Sequence, residues 1–107
     1  MQSLLALASI LHAEPALVLG ALADLLEAED GGGYTRDDDG LQRRLPVLGA
    51  EQWRVLPDEE GTRVEFEVVA STASSALAGV LARRRLRAAP ERFRAIVTAL
   101  ADRVEER

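Results

Sequence analysis

The residues able to do chemistry in this chain are few and scattered. His12 is the one histidine. It has no second metal ligand at a usable spacing, and the nearest hydroxyl is Ser9, three residues back. A surface or capping role fits it better than that of a catalytic base. Ser74 and Ser75 open an apolar stretch with no lysine around them, so capping and packing explain them better than nucleophilic chemistry. Cysteine is absent, which excludes disulfides, thiolate metal sites and cysteine catalysis. Lysine and asparagine are absent too, and all 13 basic residues are arginine. Schiff-base chemistry, a phosphate-loop lysine and asparagine-linked glycosylation go with them. Such arginine usage fits a GC-rich bacterial genome. No catalytic residue and no cofactor are assigned, and the expectation is a chain that is not an enzyme.

Two charged runs remain. Asp37-Asp38-Asp39-Gly40 invites a fit to a calcium loop. With Gly40 at the sixth position, Thr35, Asp37 and Asp39 take positions one, three and five. The twelfth, which needs a bidentate glutamate, is Pro46. The fit fails, and no metal site is assigned. Arg83, Arg84, Arg85 and Arg87 form the densest basic cluster. On a helix they spread around the circumference, as a solvated face paired with neighbouring acids would. The sharper alternative is a contact to phosphate or to an acidic partner, which arginine's forked geometry suits.

A scaffold of 107 residues has the size of one ordinary domain, here taken as residues 1–107. Its 48% apolar residues suffice for a core and its 29% charged residues for a solvated exterior. The net charge of −5 is uneven: residues 1–50 hold three arginines against eight acids, while residues 51–107 balance ten against ten. A general electrostatic grip on nucleic acid is disfavoured, though a local basic patch can still act. The longest uncharged stretches, 1–13 and 68–82, fall short of the roughly 20 residues a spanning helix needs. No basic residue precedes the first apolar run, as a secretory signal would require. A cytoplasmic protein without membrane contact is expected.

The pattern divides the chain into an acidic helical half (1–50), a β-hairpin (51–70) and carboxy-terminal helices (71–107). Leucine and alanine over 3–12 read as a short helix. Pro15 opens a second helix reaching about Glu29, with Val18, Leu22 and Leu25, and Leu17, Ala21 and Ala28, as its apolar stripe. Three glycines, 31–33, end it. Leu41, Leu45 and Leu48 recur at helical spacing behind the three aspartates, which predicts a third helix over 37–45.

Val64-Glu65-Phe66-Glu67-Val68 alternates strictly and predicts a strand with Val64, Phe66 and Val68 buried. Trp53, Val55 and Leu56 supply its partner across a turn at 57–61. Ser71 or Thr72 caps a helix that ends before Pro90, unless 85–88 forms a further strand. Phe93, Ile96, Val97, Leu100 and Val104 then mark one face of a last helix. Small residues near Ser75 and Gly79 allow close helix packing, within one chain or across a homodimer formed by the carboxy-terminal helices.

Helices followed by Leu41-Gln42-Arg43-Arg44-Leu45-Pro46-Val47-Leu48-Gly49 and a hairpin resemble the winged helix-turn-helix of bacterial regulators. The stretch Pro90-Glu91-Arg92-Phe93-Arg94 is similar to the final helix in the carboxy-terminal extension of WYL-domain regulators. The first resemblance implies an α+β winged-helix-like fold: three helices, a wing and two further helices. It implies DNA-binding transcription regulation, with Gln42, Arg43 and Arg44 on the recognition helix and Arg63 on the wing. Against it stand three aspartates at the start of that helix, a long link from Glu29 to Asp37, and Pro46. The alternative is an acidic protein–protein interaction module, an inhibitor or adaptor that makes no DNA contact and whose surface includes Asp37, Asp38 and Asp39.

Overall fold

The computed structural model describes residues 2–30, 33–45, 49–70 and 76–105. Seven elements follow in order: β1 (Gln2–Leu11), α1 (Pro15–Asp30), β2 (Thr35–Arg36), β3 (Gly40–Leu45), β4 (Gly49–Asp58), β5 (Gly61–Ala70) and α2 (Ala76–Val104). The strands form one antiparallel sheet in the order β1-β5-β4-β3-β2. The α+β class holds, but the winged-helix arrangement does not. Among the described residues there are two helices, one before and one after a four-strand meander in the sequence, and a first strand that pairs with the last.

Three expectations are overturned. The segment predicted as a first helix is β1. Leucine and alanine favour helix locally, but that preference is weak against pairing with a strand such as β5. Large and small residues alternate over 5–8: Leu5 and Leu7, with Leu11 beyond, pair with Val68, Phe66 and Thr62, while Ala6 and Ala8 are exposed. The predicted third helix is a turn followed by β3. Leu41 and Leu45 are buried there with Arg43 between them, while Gln42 and Arg44 are exposed. Leucines four apart satisfy a strand as well as a helix, and the neighbour at position 43 is what differs. The two carboxy-terminal helices are one helix, α2, with Pro90 inside it. Residues 85–88 therefore belong to helix, not strand. The caps expected at Ser71 and Thr72, and Ser75, lie outside the described residues.

The hairpin is as expected, and longer. β4 and β5 extend to Asp58 and Gly61, so only Glu59 and Glu60 form the turn. Asp58 Oδ2 accepts from Glu60 N at 3.0 Å and fixes the reversal. Gly61 has φ of +139°, and a Cβ there would run into the Leu11 carbonyl, so glycine is required twice over.

Both helices cover one face of the sheet. Val18, Leu19, Leu22 and Leu26 of α1 and Ala89, Phe93, Ile96, Leu100 and Val104 of α2 meet Trp53, Val55, Val64, Phe66 and Val68. Trp53, Phe66 and Phe93 form its aromatic centre, with ring centroids 4.7–6.1 Å apart. Leu17, placed in the apolar stripe by its spacing, is 55% exposed. The other face of the sheet meets solvent with Ala6, Ala8, Gln42, Arg44, Arg54 and Arg63.

The register places the Asp37–Asp39 turn, the Glu59–Glu60 turn and the end of β1 at the same end of the sheet. Helix α1 leaves from that end at Pro15, and α2 arrives there. Its follower Glu105 accepts the His12 amide through Oε2 at 2.7 Å, while Thr62 Oγ1 donates to the Ala13 carbonyl at 2.6 Å.

Candidate functional site

The convergence of ionisable groups lies on the helix-facing side of β4. Glu51, Trp53 and Val55 alternate with Gln52 and Arg54, so the strand pleat drives the Glu51 carboxylate under the helices. Its residue exposure is 0%. Such burial would cost several kcal/mol without compensation. Both oxygens are in fact taken. Oε2 accepts from the Tyr34 hydroxyl at 2.7 Å, Trp53 Nε1 at 2.7 Å and Arg92 Nη1 at 3.1 Å. Oε1 accepts from Arg43 Nη2 at 3.3 Å and lies 3.5 Å from Arg85 Nη1.

Each partner is delivered by a different element. Arg43 sits directly across β3 from Glu51. Tyr34 precedes β2, and its ring lies 4.6 Å below the Arg43 guanidinium. Arg92 reaches down from α2. It also donates to the Tyr34 oxygen at 3.1 Å and, through Nε, to Glu29 near the end of α1 at 3.1 Å. Three guanidiniums and two carboxylates therefore tie β3, β4, the β2 entry and both helices together.

The charges follow from this geometry. Burial pushes the Glu51 carboxyl up, but hydrogen bonds from Tyr34 and Trp53 and the charges of Arg92 and Arg43 outweigh it and hold it below its ordinary value. Tyr34 moves the other way. Burial, then its bond to the Glu51 carboxylate, raises the phenol well above its ordinary 10.0. At neutral pH the pair is a fixed anion and a neutral phenol. A carboxylate so depressed and so fully coordinated is a poor proton acceptor, and its lone pairs are occupied. Its chemical capacity is electrostatic: it holds three arginines in place.

The residues chosen from sequence are dispersed. Gln42 and Arg44 project from the solvent face of β3, whereas Arg43 points inward to Glu51. Arg63 lies on the solvent face of β5 and donates from Nε to Glu65 at 2.7 Å. Through the register, Arg44 aligns with Val69, six residues from Arg63, which is ~20 Å along the strand. The recognition helix on which three of the four were placed is absent, because that segment is β3.

Asp37, Asp38 and Asp39 are exposed in the turn before β3, closed by Asp39 N donating to Asp37 Oδ1 at 3.1 Å. His12 is exposed at the end of β1, its Nδ1–H donating to the Glu60 carbonyl at 3.1 Å. Of the basic cluster, Arg85 reaches Glu51 while Arg83, Arg84 and Arg87 are exposed. Among the described residues no group of three or more histidine, aspartate or glutamate side chains is arranged to hold a metal ion.

Sequence reading missed Glu51, Tyr34, Arg85 and Arg92 as a set. One signal was present: an acid two residues before Trp53 and four before Val55, on the apolar side of an alternating strand. No protein-family model matches the chain, and no curated protein is significantly similar to it. Among the described residues, no helix is long and apolar enough to cross a membrane.

Proposed function

We propose that this chain is a non-enzymatic protein-interaction module that takes a basic segment of a partner at the acidic end of its sheet. One observation carries the reading. Two exposed acidic turns, Asp37–Asp39 and Asp58–Glu60, stand at the same end, and Val55 N donating to the Asp39 carbonyl at 2.7 Å fixes the first against β4 just before the second begins. Each turn is closed from within, since Asp37 Oδ1 and Asp58 Oδ2 each accept a backbone amide of the turn. Ordering a pre-formed surface costs little on binding. The arginines of the DNA reading support it less well, being divided between two faces and interleaved with Glu65 and Glu67.

The test is fluorescence anisotropy with a labelled arginine-rich peptide and, separately, a mixed-sequence duplex at low salt. The peptide should bind and the duplex should not. Asp38→Asn combined with Glu59→Gln and Glu60→Gln leaves both turn acceptors in place and should weaken peptide capture at least tenfold. Peptide affinity unchanged in that variant, or duplex binding tighter than peptide binding, would overturn the reading.

A further inference from the structure

The two edges of the sheet are built differently. β2 is two residues long and runs into three aspartates, so it offers little backbone to another strand. β1 is ten residues long and carries no ionisable side chain. It pairs with β5 on one side only. A register shift between Ser3 and Leu5 interrupts its start, and Leu5–Leu11 continues as regular strand. An edge of this kind presents every second backbone N–H and C=O outward as a template for a further strand. Beside it, a groove of about 290 Å³ separates β1 from α2, lined by Leu7 and Ala8 on one side and Pro90, Phe93, Arg94 and Val97 on the other.

We infer that β1 is a dimerisation edge, pairing antiparallel with β1 of a second copy of this chain about a two-fold axis. The two sheets then continue as one, and the two α2 helices lie side by side on its covered face. Three observations select a second copy as the occupant.

Antiparallel self-pairing sets the residues on one side of the axis opposite those on the other, and a charge on the axis opposite its own copy. β1 carries no charge.

Charge along α2 is uneven, with Arg83, Arg84 and Arg87 exposed towards its start and Asp102 and Arg103 exposed together in its last turn. Because a two-fold reverses the neighbouring helix, the arginine-rich start of each copy is kept away from that of the other and falls beside the Asp102–Arg103 turn, where the charges balance. Leu7 and Ala8 share the groove with Arg94. With Arg94 near the axis, Arg84 and Arg87 stand level with residues 101–104 of the second copy. Arg94 is the one ionisable side chain among the described residues of the groove, and its long stem lets the head reach water.

The area is adequate. An edge about 33 Å long and about 20 Å deep, one sheet layer and one helix layer, covers roughly 660 Å² per copy, which places the pair near the range of stable dimers.

Sedimentation equilibrium of the intact chain over the micromolar range is the primary measurement. Wild type should move from 11.6 kDa towards twice that mass. Ala8→Lys should weaken association at least tenfold. It faces Glu65 across β5, so the single chain accommodates the lysine, and an unchanged far-UV circular dichroism spectrum checks this. A single-chain mass for wild type throughout, or unaltered association of Ala8→Lys, overturns the proposal.

Because the chain has no cysteine, an introduced thiol reports cleanly. Ala8→Cys should form a covalent dimer on mild oxidation, whereas Arg54→Cys, exposed on a central strand, should not. Equal cross-linking at both positions overturns the edge geometry. A dimer that persists in Ala8→Lys would place the contact elsewhere and do the same.

Discussion

At the scale of single residues, the strongest commitment is at Glu51. Its carboxylate is buried among three guanidiniums, and removing its charge leaves Arg43 and Arg92 close together without the carboxylate between them, while Arg92 keeps its pair with Glu29. The two arginine side chains are 19% and 23% exposed, so water repays part of the loss. Glu51→Gln should therefore cost about 3 kcal/mol, the lower end for a broken buried pair. Arg85→Ala, at a 40% exposed partner 3.5 Å away, should stay within about 0.5 kcal/mol. Urea titration of the three proteins checks the ranking, and equal losses would remove Glu51 from the centre of the network.

The pH dependence has a definite sign. The folded Glu51 carboxyl lies below its unfolded value, so its contribution is complete above the ordinary glutamate value of 4.5 and is lost as pH falls through the folded one. The gap in stability between wild type and Glu51→Gln should close in acid. For Tyr34 the folded value is raised, so its contribution is complete below 10.0 and is lost at higher pH. As the one tyrosine in the chain, it can be followed by ultraviolet absorbance. A midpoint at or below 10 would contradict its placement against Glu51.

At the scale of elements, Pro90 is informative because it sits where a helix gains nothing from it. It lacks the amide that would bond to the Leu86 carbonyl, and its ring crowds that turn. Pro90→Ala should raise stability by about 1–3 kcal/mol if α2 is continuous. A loss in a urea titration would mean that the chain uses the proline to begin a separate helix.

The hairpin makes the complementary prediction. Phe66 is 2% exposed between Trp53 and Phe93, and Phe66→Ala should cost about 3–5 kcal/mol. Glu65→Ala removes only an exposed pair with Arg63 and should stay within about 0.5 kcal/mol.

What was legible at this scale follows a physical division. α1, the hairpin and the apolar face of α2 were readable because each carries its own periodicity. β1 and β3 were not, because their residues satisfy two periods at once and the choice belongs to their pairing partners: β5, far along the chain from β1, and β4, the strand that follows β3. The site was hidden for the same reason. Arg43 meets Glu51 only once β3 is a strand, and Arg92 reaches it only once α2 is one helix.

At the scale of the whole molecule, six acids gather in the turns at one end of the sheet. The turns at one end carry Asp37, Asp38, Asp39, Asp58, Glu59 and Glu60, while Arg83, Arg84 and Arg87 lie towards the other end of α2. The carboxylates that close the turns are those of Asp37 and Asp58, and Asp38, Glu59 and Glu60 lie exposed beside them. Like charges gathered this way repel, and the repulsion opposes the compact state. The triple variant Asp38→Asn, Glu59→Gln, Glu60→Gln should therefore be slightly more stable than wild type at low ionic strength. The gain should shrink as salt rises and the Debye length falls from ~30 Å at 0.01 M to ~8 Å at 0.15 M. Thermal or urea unfolding at the two salt concentrations measures it. The sign matters for function. If the variant unfolds more easily, those carboxylates support the fold, and any loss of peptide capture would be a structural side effect. If it is more stable while capturing the basic peptide less well, the acids weaken the fold and strengthen binding, which is the signature of a surface kept for a partner.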